Sequence, residues 1–418
     1  MKNMAEKTTS QSMTYRTSKT SGQKVSLLGY GMMRLPMKDG KIDQQMVNEE
    51  VRFALDHGVN YFDTSPHYSD NLSETSLGVA LQASGYPRES YHIATKMSNF
   101  DPPECPREKS IEMYHRSFEL LHTDYIDYYL LHAVGIGGGM ERFRKRFIDN
   151  GLLDFLVKER EAGRIRQLGF SYHDDITVFD WLLANHDKYH WDFVQIEMNY
   201  VDWHYAKEMN PDNTSAEYLY SECEKRGIQN VMMEPLLGGR LAKLPAVCER
   251  QLKSRRPDES IPSWAFRFCG SHPNVLTMLS GMTQMENVVD NVKTCSPLVP
   301  CSEEELELLE SIAARLSSSH SIPCSKCRYC MPCPFGVDIP GNFSYYNNCI
   351  TNDSLPPADE TSPDYAARQE AFVNGYHEAL NPENLATQCR SCRACLPKCP
   401  QHIRIPQQLH RLSTMIRK

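Results

Sequence analysis

The run "YIDYYLLH", Tyr125 to His132, decides the fold. It reads as a β-strand that ends on a polar residue, and a stretch of helical periodicity follows it. The same unit recurs on both sides. "YHIATK" (91–96) precedes it, and "IRQLGFS" (165–171), "FVQIEMN" (193–199) and "NVMMEP" (230–235) come after it. Alternation of this kind implies parallel strands joined by crossover helices. Counting from "LLGYG" (27–31) to "VLTMLS" (275–280) gives about eight units in roughly 270 residues, the size of a TIM (β/α)8 barrel. A doubly wound sheet would carry a glycine fingerprint at its first strand-to-helix turn, whereas "LLGYGMMRLP" runs into a proline and a loop.

The predicted class is therefore α/β, a barrel over 25–300 preceded by a polar segment at 1–24. Ser302 opens "SEEELELLESIAARL", where Ser302 and Glu305 have capping-box spacing and Leu306, Leu309, Ala313 and Leu316 share a face, so 301–320 is predicted as a linker helix. A cysteine-bearing region follows at 321–418, with an insert at 341–388 that holds the helical stretch "SPDYAARQEAFVNGYHEAL". "GIGGG" (135–139) lacks the Lys-Ser/Thr ending of a phosphate loop and is read as a flexible lid.

Charge narrows the partners. The 418 residues carry 45 basic and 53 acidic side chains, a formal charge of -8, which gives no nucleic-acid or membrane-surface footprint. The first twenty residues are polar, and no apolar run reaches the length of about 18 residues that a membrane span needs. A cytoplasmic protein acting on small molecules is expected.

Eight of the fifteen cysteines fall in "CSKCRYCMPCP" (324–334) and "CRSCRACLPKCP" (389–400). Three closely spaced thiolates followed by a fourth and a proline suit a four-iron cluster, whereas structural zinc draws two ligands from each of two hairpins. The second run resembles the cysteine run of two-cluster bacterial ferredoxins, which makes 321–418 a small ferredoxin-like iron-sulfur domain. The resemblance implies two 4Fe-4S clusters with crossed ligation: Cys324, Cys327, Cys330 and Cys399 on one, and Cys389, Cys392, Cys395 and Cys333 on the other. Two residues separate Cys330 from Cys333, where the ferredoxin pattern has three. Cys349 is read as a small buried residue.

The barrel carries its own chemistry. Asp63 ends the second strand, Tyr68 follows in its loop, Lys96 ends the third strand and His132 the fourth. Residues at the C-terminal ends of barrel strands converge on one mouth. A phenol of pKa about 10 is a poor acid at neutral pH, but a neighbouring ammonium lowers it and a carboxylate can anchor that ammonium. Tyr68 would donate a proton, Lys96 tune it, Asp63 hold Lys96, and His132 orient a carbonyl.

The tetrad, its order and its strand placement resemble the aldo-keto reductases over residues 25–295. The resemblance implies an NAD(P)H-dependent oxidoreductase. It implicates Ser171 and Gln195 at the nicotinamide carboxamide and Leu236, Gly238 and Arg240 in "MEPLLGGRL" over the pyrophosphate. It also matches Asn287 and Asn291 in "SGMTQMENVVDN" to the adenosine-phosphate segment. Met233 and Glu234 stand where the family usually has an aromatic, Tyr172 stands where many members have Asn, and residues 280–291 contain no Lys or Arg. The choice between NADH and NADPH stays open.

A nicotinamide delivers a hydride, while each cluster accepts one electron. Three readings follow: a carbonyl reductase or alcohol dehydrogenase with accessory clusters, a reductase fed single electrons by a ferredoxin-like partner, or an electron-transfer or redox-sensing protein. The eighth barrel helix should leave the chain at the bottom, and the linker helix, rising about 1.5 Å per residue, returns it. The cysteine region is therefore expected beside or over the mouth.

Overall fold

The computed structural model describes residues 12–100, 105–209, 213–318, 321–357 and 359–417. Strands β1 (Tyr15–Thr17) and β2 (Lys24–Ser26) pair antiparallel, β3 (Leu28–Gly31) opens the barrel, and β4 (Met37–Lys38) pairs with β5 (Lys41–Ile42). The barrel continues through β6 (Tyr61–Asp63), β7 (His92–Met97), β8 (Ile126–Val134), β9 (Ile165–Tyr172), β10 (Phe193–Glu197), β11 (Gln229–Met233) and β12 (Val275–Gly281), which closes on β3. Every barrel pairing is parallel.

Alternation along the strands sorts the side chains. Tyr61, Ala94, Tyr128, Leu130, Phe193, Val231 and Met233 fill the interior. Phe62, Ile93, Tyr129 and Leu131, one residue out of phase, pack on the surrounding helices. All nine residues of β8 are buried, as its unbroken apolar run requires. The inward row, continued upward, is what brings Asp63, Lys96, His132, Ser171 and Gln195 to the mouth. Gly169 gives the close approach this needs, since a Cβ there would lie 2.3 Å from the Phe193 carbonyl oxygen.

Residues 12–24 do more than the polar segment expected of them, while 1–11 lie outside the described residues. The β1–β2 hairpin lies across the barrel bottom, where Arg16 donates to the carbonyls of Gly270, His272 and Val275. The helix Glu303–Ser317 has the capping box read from sequence: Glu305 N donates to Ser302 Oγ at 3.3 Å, and Ser302 N to Glu305 Oε2 at 3.0 Å. Its Leu309 and Ala313 are buried against the barrel, with Leu306 and Leu316 beside them.

The cysteine region has its own core, built by Phe343, Tyr346, Phe372, Tyr376, Leu409 and Leu412. Among its described residues it forms helices and loops without strands. The helix Ile339–Thr351 runs through the expected start of the insert, because Asp338 caps it by accepting from Gly341 N and Pro340 suits its first turn. Cys349 is buried, as read. Among the described residues no helix is long and apolar enough to cross a membrane.

Candidate active site

Four polar residues from three strands and a loop meet at the mouth, all buried: Asp63, Tyr68, Lys96 and His132. Lys96 Nζ donates to Asp63 Oδ1 at 2.6 Å and to the Thr64 carbonyl at 2.7 Å. It also lies 4.6 Å from the centre of the Tyr68 ring. That ring meets His132 edge-on, centroids 5.7 Å apart. Ser98 Oγ is 2.7 Å from His132 Nδ1, and Arg146 Nη2 donates to the His132 carbonyl at 2.7 Å.

Burial dominates the electrostatics. It pushes the Asp63 carboxyl up and the Lys96 amine down, and the charge of each partner opposes both shifts. His132 is held well below its ordinary 6.5 by burial and then by the Lys96 charge, so it stays neutral. The expected lowering of Tyr68 is not found. Burial raises its phenol well above 10, and Tyr329, Asp63 and Glu234 add to the rise. Lys96 is engaged with Asp63 and Thr64, and the Tyr68 phenol is buried.

Tyr329 is the residue that sequence reading missed. It stands between Cys327 and Cys330, and its phenol hydrogen-bonds with that of Tyr68. Phe100 bridges the same two elements, with its centroid 4.8 Å from His132 and 6.3 Å from Tyr329. Aromatic character beside a cysteine was the only signal available. Arg146, in the charged "MERFRKRF" after the glycines, is likewise buried. The glycine stretch itself is packed, for a Cβ at Gly137 would lie 2.4 Å from the Pro397 carbonyl oxygen.

The cysteine region covers the mouth. Arg34 donates to the Ser325 carbonyl, Arg240 Nη2 to Ser321 Oγ at 2.6 Å, and Gln401 Nε2 to Glu197 Oε2 at 2.9 Å. Gly238 abuts the same loop, where a Cβ would come 2.3 Å from Ser325 Cα.

The remaining candidates fall into two groups. Ser171 Oγ accepts from Ala133 N at 2.9 Å, and Gln195 Oε1 is buried without a hydrogen-bond partner, a free acceptor suited to an amide N–H. Those two join the tetrad. Leu236, Gly238 and Arg240 lie on the loop after β11, where Gly238 N donates to Glu234 Oε2. Asn287 and Asn291 sit farther out on the helix Met285–Thr294, and Asn291 Nδ2 donates to Ser280 Oγ at 3.0 Å.

The two cysteine runs come together, and Cys395 of the second acts on both Cys330 of the first and Cys399. Burial raises the Cys327 thiol, and the charges of Cys399, Cys324 and Cys330 raise it further. Cys395 is raised by burial and then by Cys389, Cys392 and Cys333. A hollow is lined by Cys333, Cys389, Cys392 and Cys395, with Cys330 at its wall. Among the described residues no three His, Cys, Asp or Glu side chains come close enough to hold one metal ion. Cysteine-only donors are the chemistry that iron-sulfur clusters take.

Residues 27–314 match the model of the aldo/keto reductase family. The chain belongs to this family of NAD(P)-dependent oxidoreductases. Residues 323–404 match the 4Fe-4S dicluster domain. This aldo-keto reductase is 26% identical over 308 residues to L-galactose dehydrogenase of Arabidopsis thaliana, covering 70% of this chain and 92% of that protein. It is 35% identical over 130 residues to 9,11-endoperoxide prostaglandin H2 reductase of Trypanosoma cruzi, but that match spans 31% of this chain and 41% of the relative. The holo form of an aldo-keto reductase from Bacillus halodurans superposes with a TM-score of 0.57 at 22% identity, over 72% of this chain and 96% of that one. At that identity the likeness speaks to the fold.

Proposed function

We propose that this aldo-keto reductase interconverts a small carbonyl compound and its alcohol, with Tyr68 as the group that gives or takes the proton at the substrate oxygen. The observation that carries the reading is the buried Lys96–Asp63 pair beneath Tyr68, with neutral His132 on the facing wall. Lys96 places a positive charge under the phenol that stabilises the phenolate left when the proton goes. Asp63 and the Thr64 carbonyl fix that ammonium at one point. Ser98 Oγ lies 2.7 Å from His132 Nδ1, and in the tautomer in which Ser98 donates there, His132 carries its proton on Nε2 and can donate to the same substrate oxygen.

A bound nicotinamide supplies or accepts the hydride at the substrate carbon. Ser171 and Gln195 would hold its carboxamide, as the free Gln195 Oε1 supports. Leu236, Gly238, Arg240, Asn287 and Asn291 would hold the rest of the dinucleotide. The loop through Ser325 lies against Gly238, so that end of the strip opens only if the loop moves. The names of the plant and trypanosomal relatives support an oxygenated small-molecule substrate.

A second reading has its own support. The two cysteine sets would hold two 4Fe-4S clusters, which exchange single electrons when present. The inner set, Cys324, Cys327, Cys330 and Cys399, reaches the tetrad through the Tyr329–Tyr68 contact. This favours electrons entering from a ferredoxin-like partner over a purely accessory role.

Tyr68→Phe tests the first reading. General acid catalysis contributes a factor of about 100 to 10,000, so carbonyl reduction should fall by that much while nicotinamide binding, read by fluorescence, persists. Unchanged turnover would remove Tyr68 from its role.

A further inference from the structure

The two cysteine sets differ in their surroundings. In the inner one Cys399 is buried and Cys324, Cys327 and Cys330 are half-buried, with Cys327 beside the Tyr329 that meets the tetrad. The outer one opens outward: Cys392 is exposed, and Cys333, Cys389 and Cys395 are half-buried around the hollow they line. Arg390, Arg393 and Lys398 line the same hollow, all three exposed, and no carboxylate does. None of the three has an ion-pair partner among the described residues. Phe335, 45% exposed, stands at the rim with Pro332 and Pro334 beside it. A chain of net charge -8 thus turns a cationic, partly apolar face outward around Cys392, the exposed cysteine of the outer set.

We propose that this face docks an acidic one-electron carrier protein of the ferredoxin class, with Cys392 as its point of approach. The proposal rests on the relay reading above and names its partner. Three unpaired cations around an apolar spot complement a carboxylate-rich surface, raising the encounter rate and orienting the carrier. Electron-transfer encounters use small contacts, below about 1,200 Å² in total, so a local patch suffices. In the step itself the carrier loses one electron and the outer site gains it. No bond forms or breaks in this transfer.

The simpler alternative is that the cations only offset the negative charge of a thiolate-bound cluster. That role would show in the reduction potential and leave association untouched. The test uses the cluster-loaded full chain without oxygen and a purified acidic two-iron ferredoxin as probe. Association is followed by stopped-flow at low and high salt, for the wild type and for R390E/R393E/K398E, with cluster potentials titrated in both. The expected result is an association rate that falls steeply with salt in the wild type and is roughly 10- to 1,000-fold lower in the variant. A salt-independent rate, an unchanged rate in the variant, a shift in potential without one in rate, or a second copy of this chain covering the face in place of the probe would each overturn it. Dithionite-fed, nicotinamide-free carbonyl reduction separates the two claims. If it proceeds in the variant while carrier association is unaffected there, the relay stands and the docking face falls. If salt-dependent docking is seen without such turnover, the docking face stands and the relay falls.

Discussion

His132 shows how burial decides a residue's behaviour. Its pKa lies well below 6.5 in the folded chain because a buried imidazolium would sit beside the Lys96 ammonium. In the unfolded chain it titrates near 6.5, so below about pH 6.5 the unfolded state binds a proton that the folded state refuses. This contribution to stability is full above that pH and is lost as pH falls. Replacing His132 with Gln should therefore flatten the drop in urea midpoint between pH 7.5 and 5.5, and an equally steep drop would assign the titration elsewhere. Asp63, Tyr68, Lys96 and His132 were legible because each ends a strand or opens its loop, and barrel geometry does the rest. Ser98, Arg146 and Tyr329 were not, since each acts through a contact between elements far apart in sequence. The tuning of Tyr68 goes the other way for a related reason: a nearby ammonium is visible in a sequence, but the depth at which the phenol is buried is not.

At the scale of elements, Gly78 fixes how two helices meet. It lies within Ser73–Ser84, and a Cβ there would fall 2.2 Å from the Leu120 carbonyl oxygen of Arg107–Leu121. Gly to Ala in an exposed helix gains about 1 kcal/mol, but here the clash is with backbone and should reverse the sign. Overpacking of this kind costs about 1–3 kcal/mol, so Gly78→Ala should lower the midpoint of chemical unfolding; a raised midpoint would show that the helices separate freely. The eight strands and the capped helix after them could be read in advance because period-two runs and a Ser-x-x-Glu pattern are local signals. The β1–β2 hairpin could not. Its three-residue strands are too short for periodicity, and Arg16 is held by carbonyls more than 250 positions away.

For the whole molecule, the ferredoxin resemblance implied crossed sets, and the fold brings Cys330 and Cys333 of the first run to Cys389, Cys392 and Cys395 of the second across an insert that builds its own core. Metal analysis of anaerobically purified protein should find about eight irons per chain and little zinc, in keeping with two four-iron sites. Cys395→Ala should lose at least the outer one; four irons in the wild type, or zinc, would redraw the cradle.

The Tyr329 contact has a bearing on oxygen. The loop that carries this tyrosine is the loop that three inner cysteines would clamp to their cluster, and the same loop roofs the pocket through Ser325 and Arg34. Air that dissolves the cluster would remove the clamp and so unroof the tetrad, even if no electron ever passes between the modules. With the clusters held as proposed, the barrel chemistry would be tied to a fuse that oxygen can blow.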